Sequence, residues 1–323
     1  MFAAWKIGVS CSLVLLAAVT QCGAQTYPAR PIRAIVPYAA GGGVDAVARL
    51  IAPRLGERLG QQVVIDNRPG ATGNIGAELA SRAAPDGYTV LIAGASIAIN
   101  VSLYRKLAYD LVKDFAAVTS IAVSPNIVLV HPLLPARSIA ELIALARARP
   151  GQLNYASGGS GSTLHLTAEL FKSMTGVAIT HVPYKGTGPA LIAVISGETE
   201  VVMPPLAGTL AYVESGRLRA LAVTSASRVK MLPQLPTVAE AGVPGFESGQ
   251  WYGVFVPAAT SPDIVIRLQT DIARVVRLPD VVEQITQQGS IATGETPEQF
   301  AAHVRQEIAK WAKVVKVSGA HPE

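Results

Sequence analysis

Apolar residues along this chain recur in two alternating patterns. Short runs rich in Val, Ile and Leu predict β-strands over 32–37, 63–67 and 89–93. Between these runs, apolar residues spaced three or four positions apart predict helices over 44–59 and 76–83. Strands that alternate with helices in this way are typical of an α/β unit, in which helices cover a mostly parallel sheet.

A second series of the same kind begins at Asn126. Its predicted strands are 127–131, 152–156, 179–182, 201–203 and 220–224. Its predicted helices are 138–148, 164–175, 189–196 and 208–215. Ser138 stands at the start of the first of these helices with Glu141 three positions on, which is the spacing of a capping box. The chain therefore holds a second complete α/β unit.

Turn-forming residues fill 225–249, and the pattern then predicts a strand over 251–256 and helices over 263–276 and 296–317. If these last elements pack on the first unit, the chain crosses between the two units twice. Two crossings make a hinge, which is the construction expected of a receptor that closes around a ligand. The predicted domains are 25–124 plus 238–323 and, between them, 125–237.

The first 24 residues (1–24) have the composition of a cleavable secretory signal peptide. A lysine supplies the positive charge, an apolar stretch covers 7–20, and Ala24 ends a site of small residues. The stretch is too short to span a membrane comfortably, so we expect a soluble periplasmic protein that starts near Gln25. The alternative is a lipoprotein acylated at Cys22, which Gln21 disfavours because a small residue belongs at its position.

Cysteine and charge content exclude several classes of function. Both cysteines, Cys11 and Cys22, lie in the predicted signal, so the exported protein would have no disulfide, cysteine nucleophile or thiolate metal site. The formal net charge is +5, and the basic residues are scattered rather than clustered. Nucleic-acid binding needs a basic stripe with interleaved aromatic residues, so we do not expect it.

Two glycine-rich loops each follow a predicted strand and open a helix. The first contains Gly41-Gly42-Gly43, and the second contains Gly158-Gly159-Ser160-Gly161. Glycine lets the backbone approach a ligand closely, and the helix that follows offers unpaired N–H groups and the positive end of its dipole. Two such loops in separate halves of an exported chain predict a cleft that closes on a small acid.

A third loop, 67–76, also leads from a strand into a helix, but its glycines are spaced G-x-x-G-x-x-G. This spacing is not the dinucleotide fingerprint, and no acidic residue ends the next strand to hold a ribose. The five histidines share no metal-binding spacing and no carboxylate cluster joins them. We therefore expect neither a cofactor nor a metal.

Three polar side chains near the loops each have two interpretations. Asp45 either caps its helix or accepts a hydrogen bond from a ligand. His165 either donates into the cleft or ties the second loop together, and Lys185 either meets an anion or stays in solvent. The sequence leaves all three pairs of alternatives open.

Serine chemistry is the leading enzymatic alternative. Ser160 or Ser162 with His165 would make a periplasmic hydrolase or transferase, since Gly158-Gly159-Ser160-Gly161 is close to a nucleophile elbow. The closing glycine of that motif is missing, because position 162 is serine, and no histidine and acid are placed to complete a triad. We therefore predict that the protein has no catalytic residue and is not an enzyme.

Six motifs in order along the chain closely resemble the tripartite tricarboxylate transporter receptors, also called Bug receptors. The motifs are Pro37-Tyr38-Ala39-Ala40-Gly41-Gly42, Asn67-Arg68-Pro69-Gly70-Ala71, Ser162-Thr163-Leu164-His165, Val182-Pro183-Tyr184-Lys185-Gly186, Leu221-Ala222-Val223-Thr224-Ser225 and Pro236-Thr237-Val238-Ala239-Glu240-Ala241-Gly242. The resemblance implies a two-domain α/β fold of the type II periplasmic-binding-protein kind, and a receptor that binds small carboxylates without reaction. It also implies a membrane permease as partner.

The resemblance further implies which residues hold the ligand, mainly through backbone amides, hydroxyls and ordered waters. The implied contacts are Tyr38, Ala39, Gly41, Gly42, Gly73, Ser96, Ser157, Ser162, Thr163 and Tyr184. Many relatives place an aspartate after the strand 201–203, where it could pair with a ligand ammonium, whereas this chain has Pro204. We therefore expect a carboxylate without a positive group, bound by a monomer. A ligand-loaded sensor subunit for a signalling membrane protein is the remaining alternative.

Overall fold

The computed structural model describes residues 27–206 and 208–321, and shows two β-sheets, each covered by helices. The predicted signal peptide, its two cysteines and the expected start of the exported protein lie outside the described residues. In chain order the strands are β1 (Ile32–Val36), β2 (Val63–Asn67), β3 (Thr89–Gly94), β4 (Phe115–Pro125), β5 (Ile127–Val130), β6 (Asn154–Ser157), β7 (Thr180–Pro183), β8 (Val201–Val202), β9 (Arg219–Val223), β10 (Gly249–Pro257) and β11 (Ile291–Ala292).

The helices fill the connections between the strands, as the apolar periodicity predicts. They are α1 (Gly43–Leu59), α2 (Asn74–Ser81), α3 (Ser96–Leu103), α4 (Ile139–Ala148), α5 (Thr163–Thr175), α6 (Thr187–Ile195), α7 (Leu210–Glu214), α8 (Pro262–Val276), α9 (Pro279–Gln287) and α10 (Pro297–Ser318), with a 3-10 turn at Ala71–Gly73 before α2. At α4 the serine cap is present, because Ser138 Oγ accepts the Glu141 amide at 3.1 Å. The Glu141 carboxylate instead accepts the amide of Arg137, so the capping box is only half formed.

The two sheets define two lobes. Lobe 1 contains six strands in the order β11-β4-β10-β3-β1-β2, and lobe 2 contains five in the order β7-β6-β8-β5-β9. The prediction of an α/β fold with two such units is confirmed. The prediction of mostly parallel sheets is wrong, since four of the nine strand pairings are parallel and five are antiparallel. Each antiparallel pairing involves β4, β5 or β10. These strands carry the chain between the lobes and are not joined to their neighbours by the right-handed helical crossover that parallel pairing requires.

Each sheet is buried on both faces. In lobe 1, α1, α8 and α9 cover one face, and α2, α3 and the first half of α10 cover the other. In lobe 2, α4 and α5 cover one face, and α6 and α7 cover the other. The second half of α10 leaves lobe 1 and packs on the lobe 2 core through Trp311, Val314 and Val315. This last helix therefore joins both lobes.

The chain crosses between the lobes at β4–β5 and again between β9 and β10. Asn126 alone separates β4 from β5, and it is fully buried. The backbone amide of Asn126 donates to Thr224 Oγ1 at 2.7 Å, and Thr224 Oγ1 donates to the Ser248 carbonyl at 2.5 Å. Ser248 Oγ and Asn126 Nδ2 both meet the hydroxyl of Thr167 on α5, at 2.6 and 2.8 Å. We call Asn126, Thr167, Thr224 and Ser248 the hinge cluster.

Four elements were not predicted: α3, β4, α9 and β11. The predicted domain boundaries stay predictions, although Val238, Val243 and Phe246 pack on the lobe 2 core rather than on lobe 1. No helix within the described residues has the length and apolarity to cross a membrane.

Candidate ligand-binding site

Each glycine-rich loop lies where parallel strands of its own sheet end. In lobe 1, β1 runs parallel to both β2 and β3, so the carboxyl ends of these three strands meet at one edge. In lobe 2, β6 runs parallel to β7 and β8 in the same way. Ligands of open α/β sheets collect outside such edges, where the loops leave the strands. The predicted contacts of each lobe are therefore grouped at one place.

Three loops of lobe 1 converge on the Tyr38 side chain. Its hydroxyl lies 2.6 Å from Ser96 Oγ at the start of α3, and the Gly94 amide approaches it at 3.4 Å. Gly73 faces the ring, since a Cβ placed there would lie 3.1 Å from a ring carbon. Burial raises the pKa of Tyr38, so the phenol stays neutral. The structure thus brings Tyr38, Gly73 and Ser96 together.

Asp45 is a structural anchor of the first loop. Its carboxylate is buried and accepts the Gly41 amide at 2.8 Å, Arg49 Nε at 2.9 Å and Asn67 Nδ2 at 2.9 Å. The hydrogen bond from Arg49 is the largest cause that lowers the pKa of Asp45, to about 2. These contacts give Asp45 a structural role in the loop before α1 rather than at an amide of the helix itself, and they also engage the Gly41 amide that was predicted to meet a ligand.

The remaining groups of the first loop are exposed at the edge. Ala39, Gly41 and Gly42 are exposed, and α1 begins directly afterwards at Gly43. The first amides of a helix have no partner within it and carry the positive end of the helix dipole. No side chain caps the start of α1, because its N-cap residue is Gly42. This helix start can therefore donate to an anion.

The second loop is closed on itself by side chains. Ser162 caps α5, since its hydroxyl accepts the His165 amide at 3.3 Å and donates to the Gly159 carbonyl at 2.7 Å. Ser157 is fully buried, and its hydroxyl accepts the Gly159 amide at 3.1 Å. Thr163 is the first residue of α5 and is half-buried. The hydroxyls of Ser157 and Ser162 therefore hold the loop, although both were predicted to contact the ligand.

Two histidines lie beneath this loop. His165 Nδ1 accepts the Gly161 amide at 3.0 Å, and His181 Nε2 lies 2.6 Å from Ser157 Oγ. The two imidazoles stack with centroids 4.1 Å apart and planes 9° from parallel. The Tyr155 ring also stacks on His181, with centroids 4.9 Å apart. Of the two interpretations of His165, these contacts favour the one in which it ties the loop together.

The contacts of three other predicted residues, Tyr184, Lys185 and Pro204, do not favour a ligand role. The Tyr184 hydroxyl is buried, which raises the pKa of Tyr184 to about 12. Lys185 is exposed, as in the solvated interpretation. Pro204 is buried, and its carbonyl accepts the Ile127 amide at 2.9 Å, so it belongs to the junction between the lobes.

Helix α3 connects the loops of lobe 1 with the second loop of lobe 2. This helix starts at Ser96 in the Tyr38 cluster and ends at Leu103. A Cβ placed on Gly161 of the second loop would lie 3.0 Å from Leu103 Cδ2. Because α3 has only eight residues, the two groups of predicted contacts are separated by about 12 Å along it. Gly161 of lobe 2 and Leu103 of lobe 1 are therefore neighbours.

The contacts in the second loop do not form a catalytic pair. His165 Nδ1 is engaged by the Gly161 amide, and Ser160 Oγ donates to the His321 carbonyl at 3.3 Å. The serine closest to an imidazole nitrogen among these groups is Ser157, which is fully buried and out of reach of a substrate. Within the described residues, no group of three or more His, Cys, Asp or Glu side chains is placed to hold a metal.

Sequence reasoning missed the hinge cluster and the role of His181. Their residues are polar and isolated between apolar runs, and no local spacing marks them. The only available signal was that polar residues interrupt otherwise apolar strands, as Asn126 does between 119–125 and 127–130.

Comparison with known proteins places these features in a family context. The model of the tripartite tricarboxylate transporter family receptor matches residues 47–320. Protein BugT of Bordetella pertussis is 39% identical over 299 residues, which are 92% of this chain and 92% of that protein.

Solved structures show the same similarity. R. palustris Rpa4515 with adipate is 42% identical, with a TM-score of 0.76, over 92% of this chain and 100% of that one. MatC from Rhodopseudomonas palustris with bound malate is 32% identical, with a TM-score of 0.72, over 90% of this chain and 100% of that one.

Proposed function

The chain belongs to the tripartite tricarboxylate transporter receptor family, and we propose that it captures a small organic carboxylate between its lobes and delivers it to a membrane permease. The observation that carries this proposal is the uncapped start of α1 at the sheet edge. Backbone amides in such a position favour an anion, and several neutral donors together hold a carboxylate without an arginine.

The neighbours narrow the class of ligand. Adipate is bound in one similar structure and malate in another, and both ligands are dicarboxylates. By the family resemblance, Pro204 stands where many relatives carry an aspartate that could pair with a ligand ammonium group. We therefore propose a dicarboxylate without a positive charge as the ligand class.

The contacts of the second loop support a receptor that does not react with its ligand. In the second loop, the hydroxyl of Ser162 and the imidazole of His165 hold backbone groups, and neither acts on the other as base and nucleophile. We propose that the protein is not an enzyme, and that ligand contacts from both lobes stabilise the closed form that the permease recognises. The proposed location is the periplasm, to which the signal peptide 1–24 would direct the chain before it is cleaved off. The proposed receptor is a monomer.

Isothermal titration calorimetry of the purified protein tests this function. We expect saturable one-site binding of adipate or malate, a thermal shift that grows with ligand concentration, and no product after long incubation. Adipamide, which has the length of adipate without its charges, is the matched control and is expected not to bind. Binding of glutamate alone, or turnover of an ester that Ser160→Ala abolishes, would contradict the proposal.

A further inference from the structure

One imidazole nitrogen holds a backbone amide of the glycine-rich loop of lobe 2. Gly161 has a φ of +74°, and its amide donates to His165 Nδ1 at 3.0 Å. A ring nitrogen accepts an N–H only through its lone pair, so His165 must be neutral and must carry its proton on Nε2. This contact, together with the Ser162 cap one residue on, fixes the direction of the loop amides.

Protonation of His165 would remove that acceptor. Both ring nitrogens of an imidazolium are donors, so the Gly161 amide would face another N–H and would have to turn away. The ring is 4% exposed, which leaves it little room to rotate. The loop geometry and the charge of His165 are therefore coupled.

The groups around His165 oppose its protonation. His181 of β7 stacks against it at 4.1 Å, and Lys172 lies on its own helix, while the carboxylate of Glu169 acts in the other direction. Glu169 is already engaged by the Tyr155 hydroxyl and by Lys172, each at 2.6 Å. His321 near the C-terminus adds a further unfavourable charge when protonated.

We propose that His165 is a positioning residue whose neutral imidazole holds the loop 158–162 in its ligand-binding form, so that carboxylate affinity is lost when this imidazole gains a proton. The inference rests on the proposed function and deepens it. It adds a proton as a second, competing ligand of the receptor.

The direction of the pH effect follows from the environment. Burial first, and then the neighbouring His181, lower the pKa of His165 to about 4. The contribution of His165 to affinity should therefore be constant from neutral pH down to about pH 5, and below the pKa of His165 it should fall by up to about tenfold per pH unit. Folding stability linked to this group follows the same sign, because a lowered pKa means that the unfolded chain binds the proton more tightly.

The test compares two substitutions by titration with adipate between pH 7.5 and 3. In His165→Asn, Oδ1 stands as many bonds from Cα as Nδ1 does and accepts the Gly161 amide without titrating. In His165→Leu no acceptor remains. We expect the leucine variant to bind adipate about tenfold more weakly at every pH. The asparagine variant should bind better than the leucine variant and lose the acid-induced drop that the unsubstituted protein shows.

Protonation of adipate itself lowers affinity equally in all variants, so only the difference between pH profiles is used. His131→Leu is the matched control, because His131 Nδ1 also accepts a backbone amide, from Leu133 at 3.2 Å, but at the opposite edge of the lobe 2 sheet. It should leave the profile unchanged. Identical profiles for the unsubstituted protein and His165→Asn, or a rise of affinity with acid, would overturn the proposal.

A ligand-free measurement separates this inference from the proposed function. In the unliganded protein, the NMR shift and hydrogen exchange of the Gly161 amide should titrate together with the His165 ring, and the Leu133 amide should not follow it. If no dicarboxylate binds but these signals titrate together, the proposed function is wrong while the coupling between His165 and the loop is correct. If the Gly161 amide does not respond to His165, the proposed coupling is wrong whatever the protein binds.

Discussion

Gly73 combines a left-handed backbone with a close neighbour. Its φ is +96°, and the Tyr38 ring lies within 3.1–3.3 Å of where a Cβ would stand. An L-residue in this conformation costs about 1–2 kcal/mol, and the added methyl would also push on the ring that meets Ser96. Glycine is therefore favoured at position 73 both by the backbone conformation and by the closeness of the Tyr38 ring.

Gly73→Ala is expected to lower the free energy of unfolding by about 1–2 kcal/mol and to weaken dicarboxylate binding at least tenfold, because Tyr38 is displaced. Urea denaturation and calorimetry measure the two effects. Gly60→Ala is the matched control, since Gly60 has a φ of +69° but nothing within 4 Å of a Cβ. It should reduce stability alone. Equal losses of affinity in both variants would mean that strain, rather than the Tyr38 contact, causes the loss.

Single residues also set the limit of what the sequence could predict at the site. The glycine loops and the helix starts after them were predicted correctly, because they follow from local spacing. The roles of Asp45 and His165 remained open, since each depends on where a side chain finds a backbone amide. The partner of His181 is Ser157, 24 residues away, and no local pattern connects them.

The hinge cluster joins the crossing segments through one hydroxyl. Thr224 Oγ1 accepts the Asn126 amide and lies 3.0 Å from the Asn126 carbonyl and 2.5 Å from that of Ser248. All three residues are buried, so water cannot replace these contacts without opening the structure. The two crossing segments are therefore tied together at one buried point.

Thr224→Val keeps the shape of the side chain and removes its hydroxyl. We expect a loss of about 1–3 kcal/mol in stability, because the Asn126 amide is left buried without an acceptor. Hydrogen exchange at β5 and β10 should accelerate together. Thr260→Val removes another buried hydroxyl, which donates to the Pro257 carbonyl within lobe 1, and it should leave exchange at β5 unchanged. If both variants act alike at β5, the cluster is not a hinge point.

The elements that sequence reasoning missed share a physical cause. The β4 sequence, Phe115–Pro125, mixes Ala, Ser and Thr with Val and Ile, so neither a period of two nor a continuous apolar run marks it. Its strand is set by pairing with β10 along nine residues of that strand, which are far away in sequence. Strands with buried small residues depend on tertiary pairing more than on propensity.

A groove lies between the two lobes, on the side away from the loops predicted to bind the ligand. Those loops follow β1 and β6, whereas this groove of about 320 Å³ lies beyond β11 and β9, lined by Leu206, Ser227, Val229 and Ile291 among others. The strands β4, β5 and β10 lie between the loop-bearing strands and the groove in both sheet orders. If the lobes turn about these strands, a rotation that widens the groove is expected to bring the ligand-binding loops together.

Ser227→Trp, at the exposed wall of this groove, is expected to hold the lobes apart there and so to favour closure on the ligand side. A bias of about 1 kcal/mol would tighten dicarboxylate binding about fivefold. Calorimetry measures the affinity, and small-angle scattering of the ligand-free protein measures the change in radius. Ser215→Trp, on the exposed end of α7, is the control. Weaker binding in Ser227→Trp would show that the groove does not oppose the cleft.

The position of α10 affects how this chain can be made. Phe300 and Val304 complete the core of lobe 1, while Trp311 and Val314 complete that of lobe 2. The ribosome produces this helix after every other described strand and helix, so a nascent chain lacks part of both interiors. A polypeptide that cannot finish either half early acquires both of its interiors only after this last helix has been made.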